Sequence, residues 1–580
     1  MPNGTEEPIM TLEEFIRLPT TVTFNIISTE RFRQFAEQSP DIFLGTELET
    51  GYIPVYTNRE NIPRLFREFG SDFIGFFPKI LSPVDAQAND GAGITPVIAH
   101  PYLNLSGRGV LIGIIDTGID YTQSVFRHED GTSKIVSIWD QTIDGDRPPN
   151  LYFGSEYTRS QINTALQTEN PFAIVPSTDT DGHGTFLASV AAGQRTADYI
   201  GAAPGAELVV VKLRRANSFY IEKYLLPPEE PNLYESSDFI LGAKYVFDTA
   251  EAMGAPVVLC VGMGSNFSGH DGNTPLEGYI SQLSQRIGYA VVTAAGNESN
   301  AKHHTEGQIS RTGATDVISI RVGETMASFT VSIFGASYDR ISIGITSPTG
   351  EVINRIPFKV GLEFQETLTI DKTSISIGYY KDVNTVIVIG LREAKEGIWE
   401  IKLYGDSILN GEYHAWLPIT GQVSPWVEFM KPVPEYTIVY PANALRAITC
   451  GAYNSYNNTL YVSSSWGPTR LPRMAPDFVA PGVNVRGIYP TGPGTMTGTS
   501  AAAAITAGAI AILLEWGIVQ GNLRSMDGDI IRLLLISGCQ RDEGILYPNT
   551  RWGYGKLDLY GTFFRIKESS IVYEITGGIQ

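Results

Sequence analysis

Four apolar runs recur along the middle of the chain, at residues 110–115, 208–211, 256–261 and 290–293. They show little alternation between apolar and polar positions, which is typical of parallel strands that are buried on both faces. Helix-like stretches lie between them, at residues 186–192, 238–253 and 276–287. Strands that alternate with helices predict an α/β fold, in which helices flank a parallel sheet.

The N-terminal region follows a different pattern, in which short strands and helices come in a fixed order. The predicted elements are a strand at 21–27, a helix capped by Ser28-Thr29-Glu30, a hairpin at 43–56, a helix opening at Asn61 and a strand at 74–81. This order, β-α-β-β-α-β, is typical of ferredoxin-like units. The segment 82–105 is rich in turn residues, and we interpret it as a linker.

A third pattern, of short alternating runs separated by turns, occupies residues 318–431. Regularly spaced short strands predict an all-β sandwich or jelly roll. Because the α/β pattern resumes after Tyr436, we interpret this block as an insertion. The predicted domains are therefore 1–96 (with the boundary between 83 and 103), 97–317, 318–431 and 432–580.

The composition of the chain argues against several classes of protein. The chain has 580 residues and a net charge of −20, which argues against nucleic acid as a partner because phosphates attract Lys and Arg. The N-terminus lacks the pattern of a signal peptide, and no run of about 18 apolar residues occurs, so we expect cytoplasmic synthesis and no membrane span. The three cysteines, Cys260, Cys450 and Cys539, are too few for a disulfide framework.

Three glycine-flanked strings carry the residue types of nucleophilic catalysis, namely GIIDTG at 113–118, DGHGT at 181–185 and GTSAA at 498–502. A serine hydroxyl is a poor nucleophile near neutral pH. It needs a histidine to accept its proton and a carboxylate to orient that histidine. Asp116, His183 and Ser500 supply these three groups, and we predict that they form a catalytic triad.

Acyl transfer also needs donors for the oxyanion that develops on the attacked carbonyl. The string TAAGN at 293–297 follows a buried strand, and we predict that the Asn297 amide and the Ser500 backbone N–H are these donors. We predict no metal site and no cofactor. His303 and His304 are interpreted as loop residues in solvent without a spaced carboxylate or cysteine partner, and His128 is only a weak candidate ligand.

By these residues the chain resembles the subtilase family of serine proteases, and the strings SSWGP at 464–468 and VAPG at 479–482 extend the resemblance. The resemblance implies an endopeptidase that uses the triad and Asn297 named above. It also implies an edge to which a substrate strand adds through main-chain hydrogen bonds. The residues implied at this substrate site are Val261, Gly262, Met263, Gly264 and Gly296.

The same resemblance implies that the ferredoxin-like unit is a propeptide, which assists folding and occupies the cleft until it is cut. Within the family the chain is most similar to the Csp germination proteases of spore-forming clostridia. The supporting features are the long spacing from Asp116 to His183, the strings IVSIWDQ at 135–141 and MGSNFSGHDG at 263–272, and the β-rich insertion. This similarity implies a spore-associated setting and, as substrate, the zymogen of a cortex-lytic enzyme.

Two other functions stay open at this point. Ala501 and Ala504 stand where many subtilases have Met and Pro, a departure that fits the Csp-like subgroup. A catalytically silenced scaffold that binds or senses a partner would keep the same fold. An esterase or other acyl transferase would share the chemistry, although the strand-binding edge favours peptides.

Overall fold

The computed structural model describes residues 11–18, 20–48, 51–69, 80–83, 90–323, 326–471 and 473–577. In these ranges a large α/β body carries an N-terminal α+β unit on one side and an inserted β-sandwich. The predicted fold class, a parallel sheet flanked by helices with a β-rich insertion, is confirmed.

The N-terminal unit consists of α1 (Leu12–Ile16), β1 (Thr21–Ile27), α2 (Glu30–Glu37), β2 (Ile42–Leu44), β3 (Tyr52–Asn58), α3 (Ile62–Phe69) and β4 (Ile80–Pro83). The Thr29 hydroxyl accepts a hydrogen bond from the N–H of Phe32 and caps the N-terminus of α2, so the helix begins where the sequence predicts. β1, β3 and β2 form an antiparallel sheet in that order. Of the predicted last strand, residues 74–79 lie outside the described part of the chain, and β4 pairs instead with the α/β body.

The first half of the body contains α4 (Ile94–Ile98), β5 (Leu111–Asp116), β6 (Ile135–Asp140), β7 (Ser155–Thr158), α5 (Arg159–Ala165), α6 (His183–Ala192), β8 (Glu207–Lys212), α7 (Ser218–Lys223), β9 (Tyr234–Glu235), α8 (Ser236–Met253), β10 (Val257–Val261), β11 (Met263–Gly264), α9 (Pro275–Leu283) and β12 (Tyr289–Ala294). All four predicted apolar runs are parallel strands.

α4 lies inside the segment predicted to be a linker. Ala92, Ile94 and Val97 pack into the core of the body, so the body already includes residues from 90 onward. Three buried apolar positions in a short stretch are enough to dock a single helical turn, although turn residues surround them.

Between β12 and the second half of the body, the insertion contains β13 (His304–Gln308), β14 (Thr315–Val322), β15 (Ala327–Ala336), β16 (Arg340–Thr346), β17 (Val352–Ile356), β18 (Glu363–Thr367), β19 (Ser374–Lys381), β20 (Asn384–Ala394), β21 (Gly397–Ser407), β22 (Glu412–Trp416) and β23 (Val427–Phe429). Two antiparallel sheets, in the orders β13-β22-β15-β20-β19-β18 and β17-β16-β21-β14-β23, enclose a common apolar core. The sandwich therefore starts at β13, before the predicted boundary at 318.

The second half of the body contains β24 (Ile448–Asn454), β25 (Thr459–Leu460), β26 (Phe478–Pro481), β27 (Val485–Tyr489), β28 (Gly492–Met496), α10 (Thr499–Leu514), α11 (Gly528–Gly538) and α12 (Leu559–Gly577). The completed central sheet has the order β25-β24-β12-β10-β5-β8-β6-β7, and β26 pairs with β24. Ligands bind outside the carboxyl ends of the strands in such a sheet, and β5 and β10 deliver their last residues there.

Strand β5 shows why the apolar runs lack alternation. Ile112 and Ile114 contribute to the core on one face of the sheet, while Leu111 and Ile115 contribute to the core on the other. Both faces are covered by helices, so the positions from Leu111 to Ile115 are aliphatic or glycine. Complete burial of each such side chain contributes about 1.5–3 kcal/mol to stability.

Helix α10 is buried along its whole length. Small residues allow this close packing, since a Cβ at Gly508 would lie only 3.0 Å from the backbone oxygen of Ala191, in α6. The segment Thr499–Val519 is long and apolar enough to cross a membrane by length and composition, but 83% of its most apolar window is buried within the protein. It serves here as a core helix.

Candidate active site

Asp116 and His183 are in direct contact. Asp116 ends β5 and His183 begins α6, and both are buried. The Nδ1 atom of His183 lies 2.7 Å from Oδ1 of Asp116, which also accepts the N–H of Thr117 at 2.8 Å. A carboxylate at Nδ1 favours the tautomer in which Nδ1 carries the proton and Nε2 presents the lone pair that accepts a proton in catalysis by such a triad.

Asp179, which the sequence analysis did not single out, holds the loop that carries His183. Its buried carboxylate accepts the N–H groups of Gly182 (2.8 Å) and Thr185 (2.9 Å). It also accepts the hydroxyls of Thr117 (2.9 Å) and Thr185 (2.7 Å). Asp179 thus links Thr117, which follows Asp116, to Gly182 and Thr185, which lie before and after His183 in the chain. The only signal in the sequence is its position just ahead of the DGHGT string.

Replacing Asp179 with alanine should lower kcat by about 10²-fold with little change in KM, because a shift of about 1 Å at a catalytic group costs that much. Hydrolysis of a peptide substrate measures both constants. Asp181→Ala is the matched control, since Asp181 is exposed and its carboxylate accepts the N–H of His183 at 3.1 Å and the side-chain amide of Asn232 at 2.6 Å, and neither bond reaches the Asp116 loop. An equal loss in both variants would contradict the positioning role of Asp179.

Ser500 lies in the first turn of α10, is buried, and points toward Gly262. Its hydroxyl donates to the Gly262 backbone oxygen at 3.0 Å. A Cβ at Gly262 would lie 3.2 Å from Cε1 of His183 and 3.4 Å from Cβ of Ser500. The serine and histidine side chains therefore face one small space beside Gly262, and only a residue without a side chain leaves that space open.

Asn297 and its neighbour Gly296 are tied to the start of α10. The Asn297 Oδ1 atom accepts the Thr499 N–H at 3.0 Å, and the Thr499 hydroxyl accepts the Gly296 N–H at 3.0 Å. Because Oδ1 accepts this hydrogen bond, the side-chain amide is held in one orientation. Its Nδ2 group, which carries the two N–H donors, lies on the opposite branch of the amide. The half-buried Asn297 amide is therefore oriented by the same helix turn that carries Ser500.

Substitution of Asn297 by alanine should reduce kcat by about 10²–10³-fold and leave KM nearly unchanged, as loss of the equivalent donor does in subtilisin. Asn297→Asp is the informative control, because it keeps an acceptor for the Thr499 N–H but removes the amide donors. Steady-state kinetics of the two variants should give similar losses. Near-normal activity of Asn297→Asp would exclude a donor role.

The predicted substrate edge is occupied by the N-terminal unit. β11 pairs antiparallel with β4, placing Met263 opposite Pro83 and Gly264 opposite Ser82. Val261 is the last residue of β10 and Gly262 joins the two strands. Gly296 lies outside this pairing; it has φ +106, and a Cβ there would lie 2.5 Å from Val439 Cγ1.

The opposite side of the cleft is a strand that the sequence analysis missed. β9 pairs antiparallel with β4, with Glu235 opposite Ile80 and Tyr234 opposite Leu81. β4 is thus the middle strand of a three-stranded sheet. Burial raises the pKa of Glu235 to about 7, reinforced by the neighbouring Asp238 and opposed by Arg214. β9 is two residues long, which is too short a pattern to recognise in a sequence.

Other parts of the described chain bear on binding. A cavity of about 960 Å³ lies between the N-terminal unit, the body and the sandwich, and Asp116, His183 and Ser500 are not among its lining residues. The three cysteines all lie in the described residues and are buried free thiols. The interpretation of His303 and His304 as residues in solvent is wrong, because both are buried. His304 is the first residue of β13, and His303, just before it, contacts the buried carboxylate of Glu298.

Comparisons with known proteins agree with this geometry. The sequence pattern of the subtilase family matches residues 107–384 and 428–555. Subtilisin-like protease SBT1.9 of Arabidopsis thaliana is 28% identical over 206 residues, which cover 31% of this chain and 26% of that protein. The chain therefore aligns with only about a quarter of the length of this relative.

The structure of the Clostridium perfringens CspB protease superposes on this chain with a TM-score of 0.72 at 29% identity. The match covers 82% of this chain and 97% of that one, so the similarity extends beyond the α/β body. Since the subtilase pattern spans more than half of the chain, the protein belongs to the subtilase family and is a subtilisin-like serine peptidase.

Proposed function

We propose that the protein is an endopeptidase in which Ser500 attacks the peptide carbonyl and His183 accepts the hydroxyl proton. Asp116 orients the imidazole and stabilises its protonated form. The tetrahedral oxyanion receives hydrogen bonds from Asn297 and the Ser500 N–H. His183 then protonates the leaving amine, and water hydrolyses the acyl-enzyme by the reverse proton transfers.

The observation that carries this proposal is the convergence of these groups beside Gly262. The hydroxyl of Ser500 points at the Gly262 oxygen in the structure, and a rotation about its Cα–Cβ bond would turn it toward the imidazole side of the same space. Catalytic hydrogen bonds are often long or misaligned before substrate binds, so this resting orientation is compatible with the mechanism.

We propose further that the first substrate is the chain itself. β4 lies in the cleft like a substrate strand and ends at Pro83, beside the edge that leads to Gly262. The next element along the chain begins at Asp90 and leads into the α/β body. We therefore place the processing cut within residues 84–89, inside the range that the sequence predicts.

The N-terminal unit should stay bound after the cut. Its strand β1 is held by hydrogen bonds from Asn217 to Thr21 O and from Tyr220 to Thr23 O, each 2.8 Å. Its Val22 and Phe24 also share an apolar core with side chains of the body. These contacts persist when one peptide bond is broken, so the unit would act as an inhibitor of its own enzyme.

For the physiological substrate we propose the zymogen of a spore cortex-lytic enzyme, with a spore-associated location. Similarity to the CspB protease over most of both chains supports this choice. Incubation of the processed enzyme with that zymogen, and mass analysis of the product, tests it.

The second candidate is a silenced scaffold that binds or senses a partner. The occupied cleft and the Ser500 hydroxyl bonded to Gly262 favour it. A serine-directed phosphonate separates the two functions if the N-terminal unit is first removed by limited proteolysis. We expect stoichiometric labelling of the wild type and none of Ser500→Ala; an unlabelled wild type with an open cleft would support the scaffold.

A further inference from the structure

The first edge of the inserted sandwich brings imidazole and carboxylate groups together. β13 and β22 run antiparallel, with Glu306 opposite His414 and His304 opposite Trp416. Alternate residues of a strand share a face, so His304, Glu306 and His414 lie side by side. One nitrogen or oxygen atom from each of these three residues lies within 4.8 Å of the other two.

The protonation of His304 is set by its neighbour. Its Nδ1 atom lies 3.0 Å from the backbone oxygen of Val433, and because a carbonyl only accepts, Nδ1 carries the proton. In a neutral ring Nε2 then presents a lone pair. That Nε2 atom lies 3.1 Å from Nδ1 of His414.

His414 cannot satisfy all of its contacts as a neutral ring. Its Nε2 lies 3.1 Å from a Glu412 oxygen, and its Nδ1 lies 3.4 Å from a Glu306 oxygen. If Nε2 carries the proton, the Nδ1 lone pair faces the lone pair of His304. If Nδ1 carries it, the Nε2 lone pair faces the Glu412 carboxylate. One contact between two acceptors remains in either tautomer, and a cation between the groups removes it.

Protonation of either imidazole would place a positive charge at this buried site, which is unfavourable. Burial lowers the pKa of His304 well below its usual value and lowers that of His414 to about 4. Neutral imidazole is the form that binds metals.

We propose that His304 Nε2, His414 Nδ1 and the Glu306 carboxylate bind one zinc-like divalent metal ion. Zinc takes nitrogen and oxygen ligands at about 2.0–2.2 Å, so two nitrogens on a tetrahedral ion lie about 3.4 Å apart. The observed 3.1 Å requires only a small opening of the pair. The Glu306 side chain is 38% exposed, which leaves solvent access for a water molecule as the fourth ligand.

The groups around the proposed ligands match the arrangement that orients metal-binding histidines. Each imidazole donates its other N–H to an acceptor, the Val433 carbonyl for His304 and the Glu412 carboxylate for His414. Trp416 stacks on His304 with ring centroids 4.8 Å apart and donates to the Tyr436 carbonyl. The rings are thus fixed before any ion arrives.

The site joins the two points where the chain leaves and re-enters the body. β13 is the first strand after Asn297, and Val433 lies on the segment that returns to the body. That segment continues to Val439, which packs against Gly264 and Gly296 of the cleft. A metal ion here would have a structural role, stabilising the base of the sandwich beside the cleft.

The test uses the untagged full-length Ser500→Ala chain, stripped of metal, so that it does not depend on catalysis. Calorimetric titration with Zn²⁺ should show one site per chain, and Zn²⁺ should raise the Tm. Co²⁺ should give the visible absorption of a tetrahedral nitrogen–oxygen site. Adding His304→Ala and His414→Ala together should abolish all three signals. His128→Ala, at a half-exposed histidine elsewhere, should leave them intact.

Glu412→Gln provides a milder variant that keeps the fold. It should weaken Zn²⁺ binding by about 10–100-fold, because the carboxylate that supports His414 is lost while all three ligands remain. Absence of saturable Zn²⁺ binding to the parent chain would overturn the proposal. The 3.1 Å contact between His304 Nε2 and His414 Nδ1 would then be a hydrogen bond between the two imidazoles. Binding that survives loss of both histidines would overturn the proposal as well.

Discussion

Replacing Ser500 with alanine should lower kcat on peptide substrates by about 2 × 10⁶-fold, the loss known for the subtilisin nucleophile. The residual rate would come from substrate binding and the oxyanion donors alone. The variant should fold normally, because the position is buried in an alanine-rich helix and loses one hydrogen bond, to Gly262 O. Steady-state kinetics on enzyme freed of its N-terminal unit measures the effect.

A control separates loss of chemistry from loss of access. Processed wild-type enzyme is added to the Ser500→Ala chain, and cutting within 84–89 in that mixture would show that the segment is a competent substrate. Proteolysis by the Ser500→Ala chain at more than a small fraction of the wild-type rate would contradict the nucleophile assignment.

Asp116→Ala should lower kcat by about 3 × 10⁴-fold, the loss known for the corresponding aspartate of subtilisin. Its carboxylate is buried and lies 2.7 Å from His183 Nδ1, so its removal leaves the imidazole without an orienting acceptor. The loss should fall in kcat rather than KM, because Asp116 does not contribute to the substrate edge. Double-variant kinetics extends the test: adding Asp116→Ala to Ser500→Ala should cause little further loss.

The Asp116→Asn variant tests whether the carboxylate itself is required. Its side-chain oxygen can still accept from both Thr117 N–H and His183 Nδ1–H. If the negative charge stabilises the imidazolium, activity should stay far below that of the wild type. Wild-type activity of Asp116→Asn would contradict that electrostatic role.

The α/β body was predictable because its strands carry a strong local signal. Positions such as Ile112 and Ile115 must be apolar when helices cover both faces of the sheet. The three glycine-flanked strings were recognisable for a related reason, since backbone approaches closely around each candidate group. Gly184 shows the requirement directly, since a Cβ there would lie 2.2 Å from the backbone oxygen of Gly118 and 3.0 Å from Cβ of Asp116.

Features that depend on long-range contacts were not predictable. β4 was expected to complete the N-terminal sheet, and its pairing with β9 and β11 depends on a cleft assembled from distant segments. Asp179 carries no pattern of its own, and its role follows from four hydrogen bonds across the loop. His304 and His414 are far apart in sequence, and only the strand register of the sandwich brings them together.

The intact mass of the purified wild-type chain beside Ser500→Ala tests the proposed triad most directly. We expect the wild type to lose an N-terminal fragment of about 9–10 kDa, the mass of 84 to 89 residues at about 0.11 kDa per residue. The Ser500→Ala chain should keep its full mass of 63.3 kDa. An uncut wild type, or equal cutting of both chains, would contradict a working triad at Asp116, His183 and Ser500.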